Sequence, residues 1–207
     1  NKIDRNREIF IRPKDLMNED VQGWYFTTKP MGILAYWDGK RLYSCSGLEY
    51  KPPQAFIKYF PKDYPLLGVL HKPAADLTRH RQIVSQKGES AVEWFDIIFY
   101  VYDTPKDGKK FKDRLEELQN MLTKKSPFIK LSEYKKFDSE FDLLLSIRDL
   151  NQEGEAIYFK HSEKPFKSGL SGGFLQIFPQ NENGKSSIKQ FCQRYLEKGF
   201  NMKDLLL

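Results

Sequence analysis

The chain has 207 residues, of which 40% are hydrophobic and 30% are charged, and its net charge is +6. This length and balance are typical of a globular protein with one large domain or two small ones. No apolar run approaches the roughly 20 residues of a membrane-spanning helix. The positive charge permits binding to nucleic acid or another polyanion, and lysines spread over the surface explain it equally well.

Cysteines and histidines are few and scattered. The two cysteines are Cys45 and Cys192, and the histidines are His71, His80 and His161. A structural zinc site needs four ligands at characteristic spacings, so we expect no metal site. Sequence spacing does not decide whether the cysteines pair, and the compartment stays open.

The first part of the chain predicts a polar arm followed by β-structure. Residues 1–20 are polar and charged, typical of an arm or an edge extension. The segments "WYFTT", "GILAYW" and "RLYSCS" are short and rich in aromatic and β-branched residues, which predicts a β-meander. Asp38-Gly39 predicts a two-residue hairpin turn between two of these strands, because glycine tolerates the positive φ of such turns.

The middle of the chain predicts a short helix and two strands. Pro52 and Pro53 precede "QAFIKYF", and proline is favoured at a helix start. The segment "YPLLGVLH" predicts a strand. The most apolar segment, "EWFDIIFYVYD" over residues 93–103, predicts a buried central strand.

Three amphipathic segments then predict helices. In "GKKFKDRLEELQNMLTKK" the apolar positions recur at helical spacing at Phe111, Leu115, Leu118 and Leu122. The next helix is expected in "SEYKKFDSEFDLLLSIRDL", with Ser132 as N-cap and an inward face of Phe137, Phe141, Leu144 and Leu145. The last is expected in "SSIKQFCQRYLEKGF", with Ser186 as cap and an apolar face of Ile188, Phe191, Cys192 and Tyr195. Strands are expected in "EAIYFKH" and "GGFLQIF", which makes the fold α+β with antiparallel sheet and peripheral helices.

Five motifs occur in the same order in this chain as in a known protein family. They are "W-x-x-x-x-K-x-x-G-x-x-A-Y-W-D-G-K", "FPKDYPLLGVL", "YVYDTP", "GEAIYFK" and "FLQIF". Together they resemble the adenylation domain of small bacterial ATP-dependent DNA ligases, over roughly residues 20–180. The resemblance implies a ligase-type nucleotidyltransferase fold, with antiparallel sheets flanked by helices. It divides the chain into an arm at 1–20, an adenylation domain at 21–180 and a helix at 181–207 in place of the family's OB domain.

The resemblance places Lys29 where the family has the lysine that attacks ATP. That motif is Lys-x-Asp-Gly-x-Arg, and here Met31 takes the aspartate position and Leu34 the arginine position. The arginine of the following Thr-Arg-x-Gly stretch is replaced by Cys45. The same motif could be aligned to Asp38-Gly39-Lys40-Arg41 instead. That alignment puts Tyr36, which is not a lysine, at the position of the nucleophile, so we assign this stretch to the hairpin turn.

The later motifs depart from the family pattern as well. The carboxylates of Leu-Asp-Gly-Glu-Leu are replaced by Leu67 and Val69. The fourth motif keeps its acid as Glu155 and a basic residue as Lys160. The two lysines of the fifth motif are replaced by Gln176 and Phe178.

These replacements remove the groups that the family's chemistry needs. Aliphatic and thioether side chains do not ligate Mg²⁺, a hard cation that prefers oxygen. A lysine nucleophile must lose its proton and be aimed at the α-phosphorus, and loss of one charge-stabilising donor commonly costs about 10²- to 10³-fold in rate. We therefore expect Lys29 to be vestigial and no cofactor to be needed, with ATP and Mg²⁺ relevant only if activity survives. The apolar character of the replacements also predicts that the old pocket is filled with side chains.

The sequence thus favours a catalytically degenerate ligase-like domain that binds partners or supports a larger assembly. One alternative is an active nucleotidyltransferase that uses Lys29, Glu155, Lys160 and an aromatic near Tyr102. Another is a DNA-binding module, for which "KHSEKPFKSG" offers phosphate contacts at Lys160, Lys164 and Lys167 unless it is an ordinary solvated loop. The partner is accordingly protein or DNA. The sequence does not fix the compartment: the resemblance to exported small ligases suggests the periplasm, and the cytoplasm is the alternative.

Overall fold

The computed structural model describes residues 11–15, 20–122, 126–136, 139, 142, 143, 145, 146, 156–166 and 169–177. The chain forms two compact units. The first comprises Asn1–Arg12, Pro30–Ser132 and Glu163–Gly169, and the second comprises Pro13–Lys29, Glu133–Ser162 and Leu170–Leu207. The chain thus passes between the units several times, and the division into residues 1–20, 21–180 and 181–207 stays a prediction.

The described elements follow one another in chain order. The strands are β1 (Ile11–Asp15), β2 (Tyr25–Lys29), β3 (Ile33–Trp37), β4 (Leu42–Ser44), β5 (Glu49–Tyr50), β6 (Leu66–His71), β7 (Ile98–Asp103), β8 (Ile129–Leu131), β9 (Lys135–Lys136), β10 (Ala156–Lys160) and β11 (Gly169–Ile177). The helices are α1 (Gln54–Ile57), α2 (Leu77–Val84), a 3₁₀ helix (Val92–Asp96) and α3 (Phe111–Met121). Among these described helices, none is long and apolar enough to span a bilayer.

A six-stranded sheet organises the described part of the first unit, in the order β5-β4-β3-β6-β7-β8. Its neighbours pair antiparallel except β7 and β8, which are parallel. One face carries Leu66 and Leu70 of β6 and packs with Phe56, Trp94 and Phe99 in the hydrophobic core. The expected α+β architecture is confirmed, with the sheet mixed rather than wholly antiparallel.

A five-stranded sheet organises the second unit, in the order β1-β11-β10-β2-β9. The strands expected in "EAIYFKH" and "GGFLQIF" are confirmed as β10 and β11, which pair antiparallel. Part of the predicted polar arm forms the edge strand β1, which agrees with the expectation of an edge extension.

The predicted meander is wrong in its first strand. β3 and β4 are antiparallel neighbours as expected, but β2 belongs to the other sheet and pairs with β10. Pro30, which follows β2, has no N–H to continue a ladder. Gly32 then lets the chain pass so close to β6 that a Cβ there would lie 2.2 Å from the Leu70 carbonyl oxygen.

The predicted hairpin turn lies one residue later than expected. The Asp38 N–H donates to the Arg41 carbonyl at 3.0 Å, so Gly39 and Lys40 are the central pair. Gly39 supplies the positive φ of +100°. Asp38 is the first residue of the turn and not one of its two central residues. Its side chain stabilises the turn, because Oδ1 accepts the backbone N–H groups of Lys40 and Arg41, each at 2.7 Å.

Two further predictions need correction. Only residues 98–103 of the predicted strand over 93–103 are extended, because residues 92–96 form the 3₁₀ helix that buries Trp94. Ser132 does not cap a helix: it follows β8, its N–H donates to the Val101 carbonyl at 2.8 Å, and β9 begins soon afterwards. Local propensity is overridden here by pairing with a neighbouring strand.

The other helix predictions have mixed outcomes. The short helix after Pro53 and the helix that contains Phe111, Leu115 and Leu118 are confirmed as α1 and α3. Of the second helix's predicted inward face, Leu145 is half-buried, and Phe137, Phe141 and Leu144 lie outside the described side chains. The helix predicted from Ser186 onwards lies entirely outside the described residues.

A buried ion pair joins the end of β7 to α3. Arg114 Nε and Nη2 donate to Asp103 Oδ1 and Oδ2 at 2.7 and 3.0 Å, and the two side chains are 3% and 0% exposed. The rings of Phe111 and Phe166 each lie 5.3 Å from the Arg114 guanidinium carbon. Asp103 also accepts the Thr104 N–H, and Arg114 Nη1 donates to the Lys109 carbonyl, so both charged groups have further protein partners.

We predict that Asp103→Asn lowers the free energy of unfolding by about 3–5 kcal/mol, because Arg114 would stay buried without a counter-charge. The matched control is Asp96→Asn, which breaks a pair with Lys72 in which the Asp96 side chain is 57% exposed. That change should cost no more than about 1 kcal/mol. Chemical denaturation measures both, and equal losses would show that the buried pair contributes no more than an exposed one.

Candidate functional site

In the second unit, three of the singled-out residues lie on one face of the sheet. Lys29, at the end of β2, pairs directly with Ala156 of β10. Lys160 lies on the same strand as Ala156, four residues on, and Tyr158 between them pairs with Gln176 of β11. Directly paired and alternate residues share a face, so Lys29, Lys160 and Gln176 face the same way.

Lys160 is the most enclosed of these side chains. It is 1% exposed, and its Nζ lies 3.5 Å from the centre of the Phe174 ring, its cross-strand partner. Phe174 in turn packs edge-on against Tyr158 at 4.8 Å. A buried ammonium group over a ring face gains cation–π attraction in a low-dielectric setting. Lys160 therefore does not lie on an exposed phosphate-binding loop.

The other members of the predicted lysine loop differ from Lys160 in their surroundings. Lys164 belongs to the first unit, its side chain is exposed, and its carbonyl accepts the N–H of Phe111 at 3.2 Å. Lys167 lies outside the described residues, as do Glu155 and Phe178. Their predicted roles stay predictions.

In the first unit, five substituted positions lie on two neighbouring strands, β3 and β6, and on the segments before β3 and after β4. We define the substituted strip as Met31, Leu34, Cys45, Leu67 and Val69. Leu34 of β3 is the direct cross-strand partner of Val69 of β6. The Cys45 thiol donates to the Leu34 carbonyl at 3.8 Å. Leu67 lies two residues from Val69 and therefore on the same face.

Leu34, Leu67 and Val69 lie on the face of the sheet opposite the hydrophobic core. Leu67 and Val69 are 0% and 1% exposed, although neither belongs to the core cluster. A Cβ on Gly32 would lie 2.8 Å from Val69 Cγ1, so Val69 fills the space beside this glycine. Burying each of these two side chains contributes about 1.5–3 kcal/mol to stability. The positions that hold carboxylates in the resembled family are here part of the packed interior.

Histidine 71 fixes the backbone at the start of the strip. Its Nδ1 donates to the Met31 carbonyl at 2.7 Å, which joins the end of β6 to the segment before β3. Its ring also packs against Tyr100 and His80, at 5.8 and 5.9 Å between ring centres. In the sequence, His71 is one of three scattered histidines, and the signal for its role is its position directly after the motif "FPKDYPLLGVL".

Tyrosines continue the same face beyond the strip. Tyr36 pairs with Leu67, and its ring stacks with that of Tyr43 at 6.5 Å. Burial, followed by the nearby Asp38 carboxylate and Tyr43, raises the pKa of Tyr36. Tyr102, the aromatic proposed for an active site, is only 2% exposed. This face of the six-stranded sheet therefore carries aromatic and aliphatic side chains and few groups that could bind a cation.

Within the described ranges, no group of three or more histidine, cysteine, aspartate or glutamate side chains is arranged to hold a metal ion. Asp103, the acid nearest to Tyr102 in sequence, is engaged by Arg114 through both of its oxygens. The side chains of the strip are aliphatic, thioether or thiol groups. This donor set does not match the oxygen ligands that Mg²⁺ takes in nucleotidyl transfer.

The pairing of Leu34 with Val69 generates a double-mutant prediction. Val69→Glu places an unpaired carboxylate in the interior and should cost about 3 kcal/mol or more. Combining it with Leu34→Arg supplies the opposite charge on the directly paired residue, and we expect a favourable coupling of about 1–3 kcal/mol. Urea unfolding of the wild type, both single variants and the double variant measures this coupling.

The pH dependence provides the control. Burial raises the pKa of the carboxyl introduced by Val69→Glu above its value in the unfolded chain, so stability should fall as pH rises through that folded-state pKa. The double variant should show a weaker dependence. Additive losses in the cycle, with identical pH profiles, would mean that the two side chains do not meet.

Comparison with known proteins supports the resemblance. The chain is 26% identical over 163 residues to a DNA ligase of Haemophilus influenzae. The match covers 77% of this chain but only 59% of the length of that relative. No family model matches the chain.

Solved structures share the fold. A Lig E DNA ligase, studied for DNA binding with a minimal scaffold, superposes with a TM-score of 0.71 at 20% identity, over 82% of this chain and 69% of that one. The Chlorella virus DNA ligase-adenylate gives 0.64 at 20% identity, over 81% and 66%. The ATP-dependent DNA ligase of bacteriophage T7, in complex with ATP, gives 0.61 at 13% identity, over 83% and 68%. The chain therefore has the nucleotidyltransferase fold of ATP-dependent DNA ligases and is similar in sequence to a DNA ligase.

Proposed function

We propose that this chain is a catalytically degenerate ligase-like domain that acts by binding a macromolecular partner within a larger assembly. The observation that carries the proposal is the substituted strip. Leu67 and Val69 are buried where the resembled family has carboxylates, and Leu34 faces Val69 where the family has arginine. No single side-chain rotation converts this packed surface into a cation site.

The chemical requirements of nucleotidyl transfer explain why the substituted strip argues against catalysis. Attack on the α-phosphorus of ATP needs a deprotonated lysine, a bound divalent cation and donors for the charge that develops on the phosphates. Lys29 supplies the amine. The strip supplies neither oxygen ligands nor positive charge, and Gln176 replaces a lysine in the second unit. We infer that the domain needs neither ATP nor Mg²⁺ for its function.

The binding partner is proposed to be a protein or DNA. Support for DNA comes from the similarity to DNA ligases, the net charge of +6 and the exposed Lys164. Support for a protein partner comes from the apolar replacements, which favour a stable binding domain over a catalytic cleft. Electrophoretic mobility shifts with a nicked duplex, repeated at rising salt, test the DNA arm, because phosphate contacts give a steep loss of affinity. The periplasm stays our proposed compartment, with the cytoplasm as the alternative.

One observation favours a second candidate, residual nucleotidyl transfer. Lys29 ends its strand directly opposite Ala156, and the retained Glu155 precedes Ala156 in the sequence. Lys160 shares that sheet face. A lysine, an acid and a second basic residue thus keep the order that the resembled family uses.

We predict that incubation with ATP and either Mg²⁺ or Mn²⁺ leaves the intact mass of the protein unchanged, because the strip offers no cation site. Lys29→Ala and Lys29→Arg serve as matched controls, since neither retains the amine nucleophile. An increase by the mass of AMP in the wild type alone would overturn the proposal and establish the second candidate. Sealing of a nicked duplex would do so as well.

A further inference from the structure

A groove on the first unit has no role in the function proposed above. It lies between the β3–β4 turn, α1 and the loop that follows α1, and its volume is about 560 Å³. This volume is within the range of about 300–1,000 Å³ that is typical of ligand sites. We call it the lysine-rimmed groove; it is lined by Trp37, Gly39, Lys40, Gln54, Ala55, Ile57, Lys58, Phe60, Lys62 and Asp63.

The walls of the groove are fixed before any ligand binds. Trp37 Nε1 donates to the Pro61 carbonyl at 2.7 Å, and the Trp37 and Phe60 rings pack edge-on at 5.2 Å. The Asp63 N–H donates to the Gly39 carbonyl at 3.1 Å. The approach is so close that a Cβ on Gly39 would lie 2.8 Å from Asp63 Cα. A preformed groove costs little ordering entropy on binding.

The charge around the groove is one-sided. Lys40, Lys58 and Lys62 are exposed on its rim, and Asp63 is the single acid in the lining. Lys40 pairs with Asp63 at 3.7 Å, with both side chains more than three-quarters exposed. Within the described part of the chain, Lys58 and Lys62 form no ion pair. Lys58 Nζ lies 5.3 Å from the centre of the Tyr59 ring, and neither ammonium group has a carboxylate partner beside the apolar floor.

The side chains on the floor of the groove favour a peptide ligand over a nucleic acid. Trp37 and Phe60 are each only 3% exposed, so neither presents an open ring face on which a base could stack. The remaining floor is aliphatic, with Ala55 exposed and Ile57 half-buried. An aliphatic concave floor with a cationic rim complements a segment that has apolar side chains and carboxylates on either side of them.

We propose that the lysine-rimmed groove binds an acidic peptide segment of a partner protein, with aliphatic anchors on the floor and carboxylates on Lys58 and Lys62. This inference rests on the proposed function as a binding domain and names the surface and the chemistry of the protein partner. The groove uses no residue of the substituted strip and none of the sheet face that carries Lys29.

The test is fluorescence anisotropy with a labelled peptide of about a dozen residues that carries leucines at helical spacing between glutamates and aspartates. The reference peptide has each acid replaced by its amide. We expect the acidic peptide to bind the intact protein and the amide peptide to bind at least about tenfold more weakly. Lys58→Glu combined with Lys62→Glu should weaken acidic-peptide binding by a similar factor. Ala55→Glu should do the same by placing a negative charge in the groove.

The matched control is Lys87→Glu combined with Lys130→Glu. It changes the net charge equally at two exposed lysines that do not line the groove. This variant should keep the affinity within about a factor of two, because neither lysine lines the groove and exposed charges are screened by salt. Thermal unfolding of every variant establishes that the fold is intact.

Several outcomes would overturn the inference. These are failure of the acidic peptide to bind at millimolar concentration, equal affinity for both peptides, and equal effects of the rim and control variants. Competition by a nicked duplex that depends on Lys58 and Lys62 would make the groove a nucleic-acid surface instead. Transfer of AMP to Lys29 together with rim-dependent peptide binding would overturn only the proposed function.

Discussion

The burial of β6 on both faces is the constraint on which the rest of the first unit depends. Leu66 and Leu70 point into the hydrophobic core, and Leu67 and Val69 fill the opposite side. A strand enclosed in this way tolerates a charge only when a partner charge lies within reach. Strands β3 and β7 flank it and must therefore present side chains that match its own. Leu34 opposite Val69 satisfies that requirement with two apolar groups where the resembled family has an arginine and a carboxylate.

The two units differ in how far they depart from that family. The second unit keeps Lys29 and Lys160 and loses one described position, Gln176. In the first unit all five positions of the substituted strip are replaced, and each replacement is smaller in charge and better suited to burial. The resemblance implies that groups for a cation and a ribose are replaced together, while Lys29 and Lys160 are kept. An unpaired buried carboxylate is costly, whereas the buried Lys160 ammonium lies over the Phe174 ring, which attracts it.

Sequence reasoning succeeded where a local pattern has one physical solution. Alternating apolar strands, the helical face of Phe111, Leu115 and Leu118, and the motif spacing all led to the correct α+β fold. It failed where distant partners decide. The position of β2 in the second sheet depends on pairing with β10, more than a hundred residues away, and Ser132 joins a ladder through Val101. Of the site, the apolar replacements were visible in the sequence. The Leu34–Val69 register, the His71 bond to Met31 and the groove walls arise only from tertiary structure.

The pairing of Leu34 with Val69 has a consequence for the history open to this chain. Two opposite charges are tolerable at these positions together, and two aliphatic groups are tolerable together, whereas an acid at position 69 opposite Leu34 would be buried without a partner. A change of Val69 to an acid while Leu34 is unchanged would therefore give a protein of low stability. The order of substitutions is constrained, because the basic residue at the half-buried position 34 has to precede the acid at position 69. The aliphatic pair is compatible with the fold and with functions that need no cation site.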